Sequence, residues 1–336
     1  MDRFKIGIVG ADTRQGIQLM KLLLAHPVAE LVAVSSRIGL LCPVAEVAPS
    51  LSGLCDLAFV SLGQVLEQAD VVFNADLTAD GQELAAQSIK HKCVFLDMSP
   101  HFRILDEDDY RQWFGSSFAY PGLHEAAVYG LPELLREHLT GKVVVGLPGA
   151  VATAALLALV PLLNEGLIET DGICIDAKLS TADCSHDSDG ISALVPGKYP
   201  ETPEIEQILS EAAGRTVRVM VTPSSTPSRR GMLVTCCARA ALSASQRTVR
   251  NALDSYYSGE QFVRVLPTNG REATTDSVVG TNVCELSARF DERSGRVVVC
   301  AAVDSLMKGS AGQAVQCMNR VLSMPEEVGL EALPFN

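Results

Sequence analysis

The sequence of 336 residues has little positive charge. Its 27 lysines and arginines stand against 40 aspartates and glutamates, which gives a formal net charge of −13. Such a surface repels polyphosphate, so we expect neither nucleic acid nor an anionic membrane as a general partner. A local basic pocket for one small anion is compatible with this charge.

The sequence also lacks metal-ligand spacing. Its ten cysteines include no CxxC pair, and no cluster of cysteine and histidine has the spacing of a zinc site. We therefore predict no metal. Most of the cysteines lie within apolar runs, such as Cys174 in GICID, and we interpret them as buried, reduced thiols of a cytoplasmic protein.

No uninterrupted apolar run is long enough for a membrane span. The most apolar stretch, residues 143–163, is broken by Pro148, Gly149 and Pro161, whereas a spanning helix needs roughly 20 consecutive apolar residues. The first residues do not have the layout of a signal peptide. Hydrophobic residues nevertheless make up 47% of the chain, enough for a large core, and the length suits two domains.

The first half of the sequence alternates predicted strands and helices. This pattern is typical of a parallel sheet with helices on both faces. The predicted strands are 4–10, 30–35, 70–74, 94–97 and 143–146, and the clearest helices are 16–26 and 81–91. We predict a Rossmann-type α/β domain over residues 1–149, completed by a last helix within 309–336.

After Ala150 the pattern changes to one apolar helix, 153–164, followed by strand-like runs. These runs are 173–179, 216–222, 232–240, 262–266, 282–289 and 296–304, and the turn residues around DERSG predict a hairpin between the last two. We predict an α+β domain with a mixed, mostly antiparallel sheet over residues 150–308. The polar loop 180–199 is the segment that we expect to be most mobile.

A glycine-containing turn joins the first strand to the first helix. Glycine permits a tight turn and close backbone approach, and a helix N-terminus attracts a pyrophosphate, so the turn is a candidate dinucleotide site. An ordinary strand-to-helix turn is the alternative, because the spacing is looser than GxGxxG. The carboxylate of Asp12 would oppose a pyrophosphate unless it points away or caps the helix. The candidate residues are Gly10, Asp12, Thr13, Arg14 and Gly16.

Ser36 and Arg37 follow the second strand. An acidic residue there would favour the ribose hydroxyls of NAD, whereas serine and arginine suit a 2′-phosphate. We therefore predict NADP as the cofactor; the alternative is that Arg37 is a solvated surface residue.

Two clusters in the polar loop are weaker candidates. Cys184 and His186 lie close in sequence and could form a nucleophile–base pair, although closeness on a loop does not establish geometry. The aspartates at 183, 187 and 189 lack the pattern of a calcium loop. We interpret both clusters as parts of a solvated loop.

Several segments together resemble the N-acetyl-gamma-glutamyl-phosphate reductases of arginine biosynthesis, within the semialdehyde dehydrogenase group. The resemblance covers nearly the whole chain. The segments are VFLDMSPHFR (94–103), YGLPEL (129–134), LPGAVATAALLALVPLL (147–163), TPEIEQIL (202–209), TPSSTPSRRGML (222–233) and SLMKGSAGQAVQCMN (305–319).

The resemblance implies NADPH-dependent reduction of an acyl phosphate to an aldehyde through a cysteine thioester, with a histidine handling the proton. It also implies substrate contacts from Ser99, Arg103 and Arg230, and a nicotinamide site lined by Lys308 and Gly309. For each arginine, a structural ion pair is the alternative. The family forms oligomers through its second domain, so we expect a homodimer or homotetramer.

The sequence departs from the family at the residues that perform the chemistry. The family's Asn-Pro-Gly-Cys-Tyr-Pro-Thr-Ala stretch appears as residues 147–154, which places Ala150 at the nucleophile position. The family's histidine position is Glu201. The nucleotide turn has also lost a serine and a glycine. An engineered alanine would explain position 150 alone, not the joint changes, so we interpret Ala150 as natural.

Alanine cannot form a thioester. We therefore predict a reductase-like protein that has lost the covalent chemistry and has a binding, regulatory or assembly role, including mixed oligomers with an intact reductase. The alternative is an active NADP-dependent oxidoreductase on a related acyl phosphate or semialdehyde, with Glu201 as acid or base. A third hypothesis keeps the family activity through another thiol, such as Cys184.

Overall fold

The computed structural model describes residues 3–184 and 189–331, which form two compact units. The first unit contains residues 3–148 and 310–331, and the second contains the described residues between 149 and 309. No helix within the described ranges is long and apolar enough to cross a membrane.

The first unit is built on a parallel sheet, as predicted, and the sheet has six strands, one more than the sequence indicated. The strands are β1 (Phe4–Val9), β2 (Ala29–Ser35), β3 (Val71–Asn74), β4 (Val94–Asp97), β5 (Val128–Tyr129) and β6 (Val144–Gly146). Their order is β2-β1-β3-β4-β6-β5, and every neighbouring pair is parallel. Strands buried on both faces read as continuous apolar runs, which explains why the sequence pattern identified them.

Helices connect these strands, and side chains cap several of them. They are α1 (Arg14–Ala25), α2 (Val44–Val47), α3 (Leu62–Gln68), α4 (Gly81–Lys90), α5 (Glu107–Phe114), α6 (Pro121–Ala126) and α7 (Pro132–Leu139). Thr13, Ser61, Asp80 and Asp106 accept hydrogen bonds from N–H groups in the first turns of α1, α3, α4 and α5.

The second unit has three helices and a mixed seven-stranded sheet. The helices are α8 (Ala150–Asn164), α9 (Thr202–Ala213) and α10 (Gln246–Tyr256). The strands are β7 (Ile173–Leu179), β8 (Ser192–Ala193), β9 (Val219–Ser225), β10 (Met232–Arg239), β11 (Val263–Val265), β12 (Cys284–Asp291) and β13 (Arg296–Val303). Their order is β11-β12-β13-β10-β7-β9-β8. The predicted hairpin is confirmed, since β12 and β13 pair antiparallel.

The core of the second unit forms around α8. Every residue of this helix from Val151 to Leu163 is buried, and the helix packs against β10, β13, α9 and α10. A helix that is apolar all round belongs in an interior. The strands alternate buried and more accessible residues, so one face of the sheet packs on the helices and the other does not.

The last helix, α11 (Gly312–Val321), belongs to the first unit and follows a π-helical turn over Met307–Ala311. It packs against α1, where the ring of His26 is hydrogen-bonded to Asn319 at 3.1 Å.

Two sequence interpretations are corrected. Helices α9 and α10 were not predicted, because the second domain was interpreted as strands after its first helix. Cys174 is exposed rather than buried, and four other cysteines are only partly buried; the adjacent Ile173 and Ile175 are the residues of β7 that face the core.

Candidate functional site

The resemblance places the nucleophile position at the N-terminus of α8. Gly149 is the N-cap residue, and Ala150 is the first residue of the helix. The N-terminus of a helix carries partial positive charge and unpaired N–H groups, which would stabilise a thiolate or an anionic substrate group. At this point the chain presents only the methyl group of Ala150.

Two carboxylates from the start of α9 occupy this helix end. The N–H of Ala152 donates to Oε2 of Glu201 at 2.8 Å, and the N–H of Gly149 donates to both oxygens of Glu204 at 3.3 Å. The hydroxyl of Tyr199 donates to Oε1 of Glu201 at 3.3 Å. The charge of the carboxylates is favourable at the positive end of the helix. Donors that could have faced a bound anion are thus paired within the chain.

Gly149 and Gly309 allow close packing around the start of α8. A Cβ atom on Gly149 would lie 2.1 Å from Cδ of Glu201, and one on Gly309 would lie 2.7 Å from Cβ of Ala150. Glycine is therefore needed at both positions for the observed approach.

Arg230 forms an ion pair within the protein, which was the alternative to a substrate contact. Its Nε lies 2.7 Å from Oδ2 of Asp304, a fully buried carboxylate. Asp304 also accepts from the N–H groups of Gly280 at 2.6 Å and Leu306 at 2.9 Å. The nearby Lys308 is buried, with Nζ 5.7 Å from the centre of the Phe262 ring.

The acidic groups Glu201, Asp183 and Glu204 lie around the phenol of Tyr199. Burial raises the pKa of the Tyr199 phenol, and the charges of Glu201 and Asp183 raise it further, so the phenol stays protonated and can donate to Glu201. Burial also raises the pKa of Asp183, which accepts from the N–H and hydroxyl of Ser180. This environment disfavours further negative charge.

Ser99 and Arg103 lie in the first unit, where their side chains form hydrogen bonds within the protein. The Ser99 hydroxyl donates to Asp97 at 2.7 Å, and burial raises the pKa of the Asp97 carboxyl. Arg103 donates from Nε to the carbonyl of Leu147 and from Nη2 to that of Met98, both at 2.7 Å.

The turn after β1 brings the start of α1 close to the backbone of Gly10. Gly10 has φ +75°, and a Cβ on Gly16 would lie 2.3 Å from the carbonyl oxygen of Gly10. Thr13 caps α1 by accepting from the N–H of Gly16 at 3.0 Å. Asp12 does not cap the helix, and its Oδ1 is buried without a hydrogen-bond partner. Arg14 is exposed.

Ser36 and Arg37 lie just after β2, within reach of solvent. Ser36 Oγ accepts from the N–H of Ile38 at 3.0 Å. Arg37 is 61% exposed, and its Nε lies 2.6 Å from Oδ2 of Asp76. Asp76 thus binds one side of the guanidinium, and the other side is accessible to solvent.

The weaker candidates remain without a described site. The thiol of Cys184 donates to the carbonyl of Ser180 at 3.1 Å, while His186 and Asp187 lie outside the described residues. Within residues 3–184 and 189–331, no group of three histidine, cysteine, aspartate or glutamate side chains could hold a metal ion.

Sequence analysis did not single out Glu204, Tyr199, Asp304 or Asp76 as site residues. Glu204 could have been found, because it follows Glu201 by three residues at the start of an amphipathic segment. The partners Asp76 and Asp304 lie 39 and 74 residues from Arg37 and Arg230 along the chain, so no local pattern indicates them.

The two units have the architecture of the semialdehyde dehydrogenases. Residues 5–142 match the family model for the semialdehyde dehydrogenase NAD binding domain, and residues 151–305 match the model for the dimerisation domain. The same fold occurs in aspartate semialdehyde dehydrogenase with NADP from Candida albicans, with a TM-score of 0.72 at 16% identity over 95% of this chain and 98% of that one. It also occurs in aspartate semialdehyde dehydrogenase II complexed with ASA from Vibrio cholerae, with a TM-score of 0.71 at 13% identity and the same coverage.

Sequence relatives identify the family more narrowly. The N-acetyl-gamma-glutamyl-phosphate reductase of Thermosynechococcus vestitus is 37% identical over 350 residues, covering 99% of both chains. That of Symbiobacterium thermophilum is 38% identical over 341 residues, covering 97% of both. The chain belongs to the N-acetyl-gamma-glutamyl-phosphate reductase family, and the resemblance is confirmed.

Proposed function

We propose that this member of the family does not carry out covalent acyl-phosphate reduction and acts instead as a binding, regulatory or assembly protein. The observation that carries the proposal is the N-terminus of α8. There, the methyl of Ala150 stands at the nucleophile position, and the carboxylate of Glu201 accepts from the N–H of Ala152.

Three physical points support this function. A methyl group has no lone pair with which to attack an acyl phosphate. The helix N–H groups of Gly149 and Ala152 already donate to carboxylates. An acyl phosphate is itself an anion, and two carboxylates at this end would repel it. The small-molecule ligand of this site is then one that carries less negative charge than an acyl phosphate.

The test measures NADPH oxidation with N-acetyl-glutamyl phosphate by the wild-type chain and by two variants. We expect no oxidation above background for the wild type. The Ala150→Cys, Glu201→His double variant should gain measurable turnover and an acyl adduct on residue 150, because it restores both family groups. Ala158→Cys, which places a thiol in the buried middle of α8, is the matched control and should gain nothing.

Wild-type turnover would contradict the proposal and would favour the active oxidoreductase. In that case a Glu201→Gln variant distinguishes the two remaining hypotheses. Its loss of turnover would identify Glu201 as acid or base, whereas loss only on alkylation of Cys184 would identify another thiol.

We propose NADP as the dinucleotide that the first unit binds. Gly10, Thr13 and Gly16 provide the tight turn and helix end for the pyrophosphate, and the open side of Arg37 suits a 2′-phosphate. When bound, NADPH would supply hydride. The carboxylate of Asp12 lies in the same turn, with Oδ1 buried and without a hydrogen-bond partner, and its negative charge should weaken pyrophosphate binding.

Calorimetric titration tests this proposal. We expect NADPH to bind more tightly than NADH. Arg37→Ala should lower the ratio of the two affinities about tenfold, equivalent to about 1.4 kcal/mol. Arg293→Ala, an exposed arginine at the β12–β13 turn, is the control and should leave the preference intact. Equal affinities for the two nucleotides, or no heat with either, would contradict the prediction.

A further inference from the structure

Helix α1 has a second apolar side that is open to solvent. Leu19 and Leu23 are buried and face the core, whereas Leu24 is 38% exposed and Ala25 is exposed as well. Residues three and four positions apart lie on the same side of a helix, so Lys21 lies beside Leu24 and Ala25. This side of α1 therefore combines apolar surface with one ammonium group.

The turn that follows α2, residues 49–54, forms the other wall of a groove against α1. Leu51 is buried and fixes the turn to the core, while Leu54 is 69% exposed. The carbonyl of Leu51 accepts from the N–H groups of Leu54 at 3.0 Å and Cys55 at 3.1 Å. Because these backbone groups are paired within the turn, the wall offers mainly side chains to a ligand.

The groove has the size and composition of a small-ligand site. Its volume of about 340 Å³ lies within the range of about 300 to 1,000 Å³ that is usual for such sites. Leucine and alanine form most of the lining, and Lys21 and Ser50 are its polar members. In the part of the chain that the structure describes, neither of these two side chains has a hydrogen-bond or ionic partner. Both are therefore available to a ligand.

The available polar groups favour an anion with an apolar chain. The ammonium of Lys21 and the hydroxyl of Ser50 can both donate hydrogen bonds to a carboxylate. The Cα–Cβ bonds of a helix tilt toward its N-terminus, which directs the stem of Lys21 away from the negative C-terminal end of α1. A carboxylate bound there is thus attracted by the lysine without facing the helix end that would repel it.

Two other occupants fit the groove less well. A peptide brings backbone N–H and C=O groups that need partners, and the backbone of the turn is already paired. A phospholipid brings two long tails, whereas the groove has room for one short chain. A single aliphatic chain that ends in a carboxylate matches both the lining and the volume.

We propose that this groove binds a medium-chain fatty acid. The carboxylate lies at Lys21 and Ser50, and the chain packs on Leu24, Leu51 and Leu54. The first unit alone forms the site, so the proposal does not depend on whether covalent chemistry occurs at α8.

Methyl NMR of the full chain with labelled leucines tests the proposal, with octanoate as the probe. We expect saturable shifts of the methyl signals of Leu24, Leu51 and Leu54. Octanoate should bind about tenfold more tightly than butanoate, because its longer chain removes more apolar surface from water. Octylammonium should bind more weakly than octanoate, because Lys21 repels its charge.

Two variants separate the charge of the groove from its shape. Lys21→Met keeps an apolar stem and should lower the affinity for octanoate about threefold, the scale of an exposed ion pair. Lys90→Met removes another exposed lysine of the first unit and is its matched control. Leu54→Glu should lower the affinity more than about tenfold, because it places a like charge beside the carboxylate and removes apolar contact. Leu105→Glu, at another exposed leucine, is the control for that variant.

Three results would overturn the proposal. The methyl signals of the groove could fail to shift saturably with octanoate. Octylammonium could bind as tightly as octanoate, or Lys21→Met could leave the affinity for octanoate unchanged, and either would show an apolar surface without an anion site. The same methyl signals could shift with protein concentration in the absence of octanoate, which would assign the groove to a contact between two copies of the chain.

Discussion

Glu285 is a buried carboxylate that two arginines hold in the second unit. Arg271 donates to both of its oxygens, Arg264 donates to Oε1 at 3.2 Å, and the Ser277 hydroxyl donates to Oε2 at 2.7 Å. Burial alone would raise the pKa of Glu285. The hydrogen bonds from Arg271 and Ser277 outweigh it, so the pKa lies below the usual value of 4.5. This carboxylate is therefore charged in the folded protein at neutral pH.

Arg271→Ala should lower the free energy of unfolding by about 1 to 2 kcal/mol near neutral pH. The loss is smaller than for a fully buried ion pair because Arg271 is half-exposed and solvent screens its charge. A carboxyl whose pKa is lowered by folding stabilises the protein above its unfolded pKa, and this contribution is lost as the pH falls through the folded pKa. The difference between wild type and variant should therefore shrink below about pH 4.5. Urea unfolding at several pH values measures it.

The control for this prediction is Arg293→Ala, which removes a strongly exposed arginine from the β12–β13 turn and should change stability by less than about 0.5 kcal/mol. If the difference in unfolding free energy between wild type and Arg271→Ala stayed constant from neutral to acid pH, Arg271 would act through packing rather than through the charge of Glu285.

The residue types at the candidate sites could be predicted from the sequence, but their partners could not. The sequence indicated Arg37 and Arg230 as anion contacts. The alternatives were a solvated surface residue for Arg37 and a structural ion pair for Arg230. Asp76 and Asp304 reach these arginines only because the strands bring distant segments together. Ion pairs of this kind depend on tertiary geometry, which composition and spacing do not specify.

At the scale of elements, the contact between the start of α8 and the residue before α9 determines the candidate site. Gly149 has φ −71° and ψ 161°, a conformation open to any residue, so an alanine there would be limited only by space. That space is taken by the end of the Glu201 side chain. Because this end is flexible, a new methyl group should displace the carboxylate rather than distort the backbone.

Gly149→Ala and Glu201→Ala should each lower the free energy of unfolding by about 1 kcal/mol, since each removes the same helix cap. The double variant should lose about as much as either single variant, a coupling of about 1 kcal/mol in a double-mutant cycle. Urea unfolding of the four proteins measures the coupling.

Gly122→Ala is the matched control, because a Cβ at Gly122 meets no atom within 4 Å. Additive losses from Gly149→Ala and Glu201→Ala would mean that the two residues stabilise the protein separately, and the capping interpretation of Glu201 would be wrong.

The elements themselves were predicted unevenly, for physical reasons. Strands β1 and β3 and helix α8 are mostly apolar, so their composition identifies them. Helix α10 buries only Val249, Ala252 and Leu253, and most of its residues are polar. Its start did carry a usable pattern, the capping box of Ser245 and Thr248.

At the scale of the whole molecule, the alternation of strands and helices predicted the architecture of the first unit, and the series of strand-like runs predicted the mixed sheet of the second. The parallel sheet and the mixed sheet are the predicted ones. What the sequence could not provide was the role of α9, whose first turn delivers Glu204 to the start of α8. That role depends on how two helices pack, and helix periodicity describes only one helix at a time.

The last prediction concerns association. Residues 151–305 match a dimerisation domain, so we expect the protein to sediment as a dimer or tetramer of the 35.8 kDa chain. Each copy carries a net charge of −13, and like charges oppose association. Salt screens that repulsion, with a Debye length of about 8 Å at physiological ionic strength, so association should strengthen as salt is raised from low concentration. The unfolding midpoint should also rise with protein concentration, because folding and association are then linked. Sedimentation equilibrium over a range of salt and protein concentrations tests both expectations, and a mass of one chain throughout would contradict them.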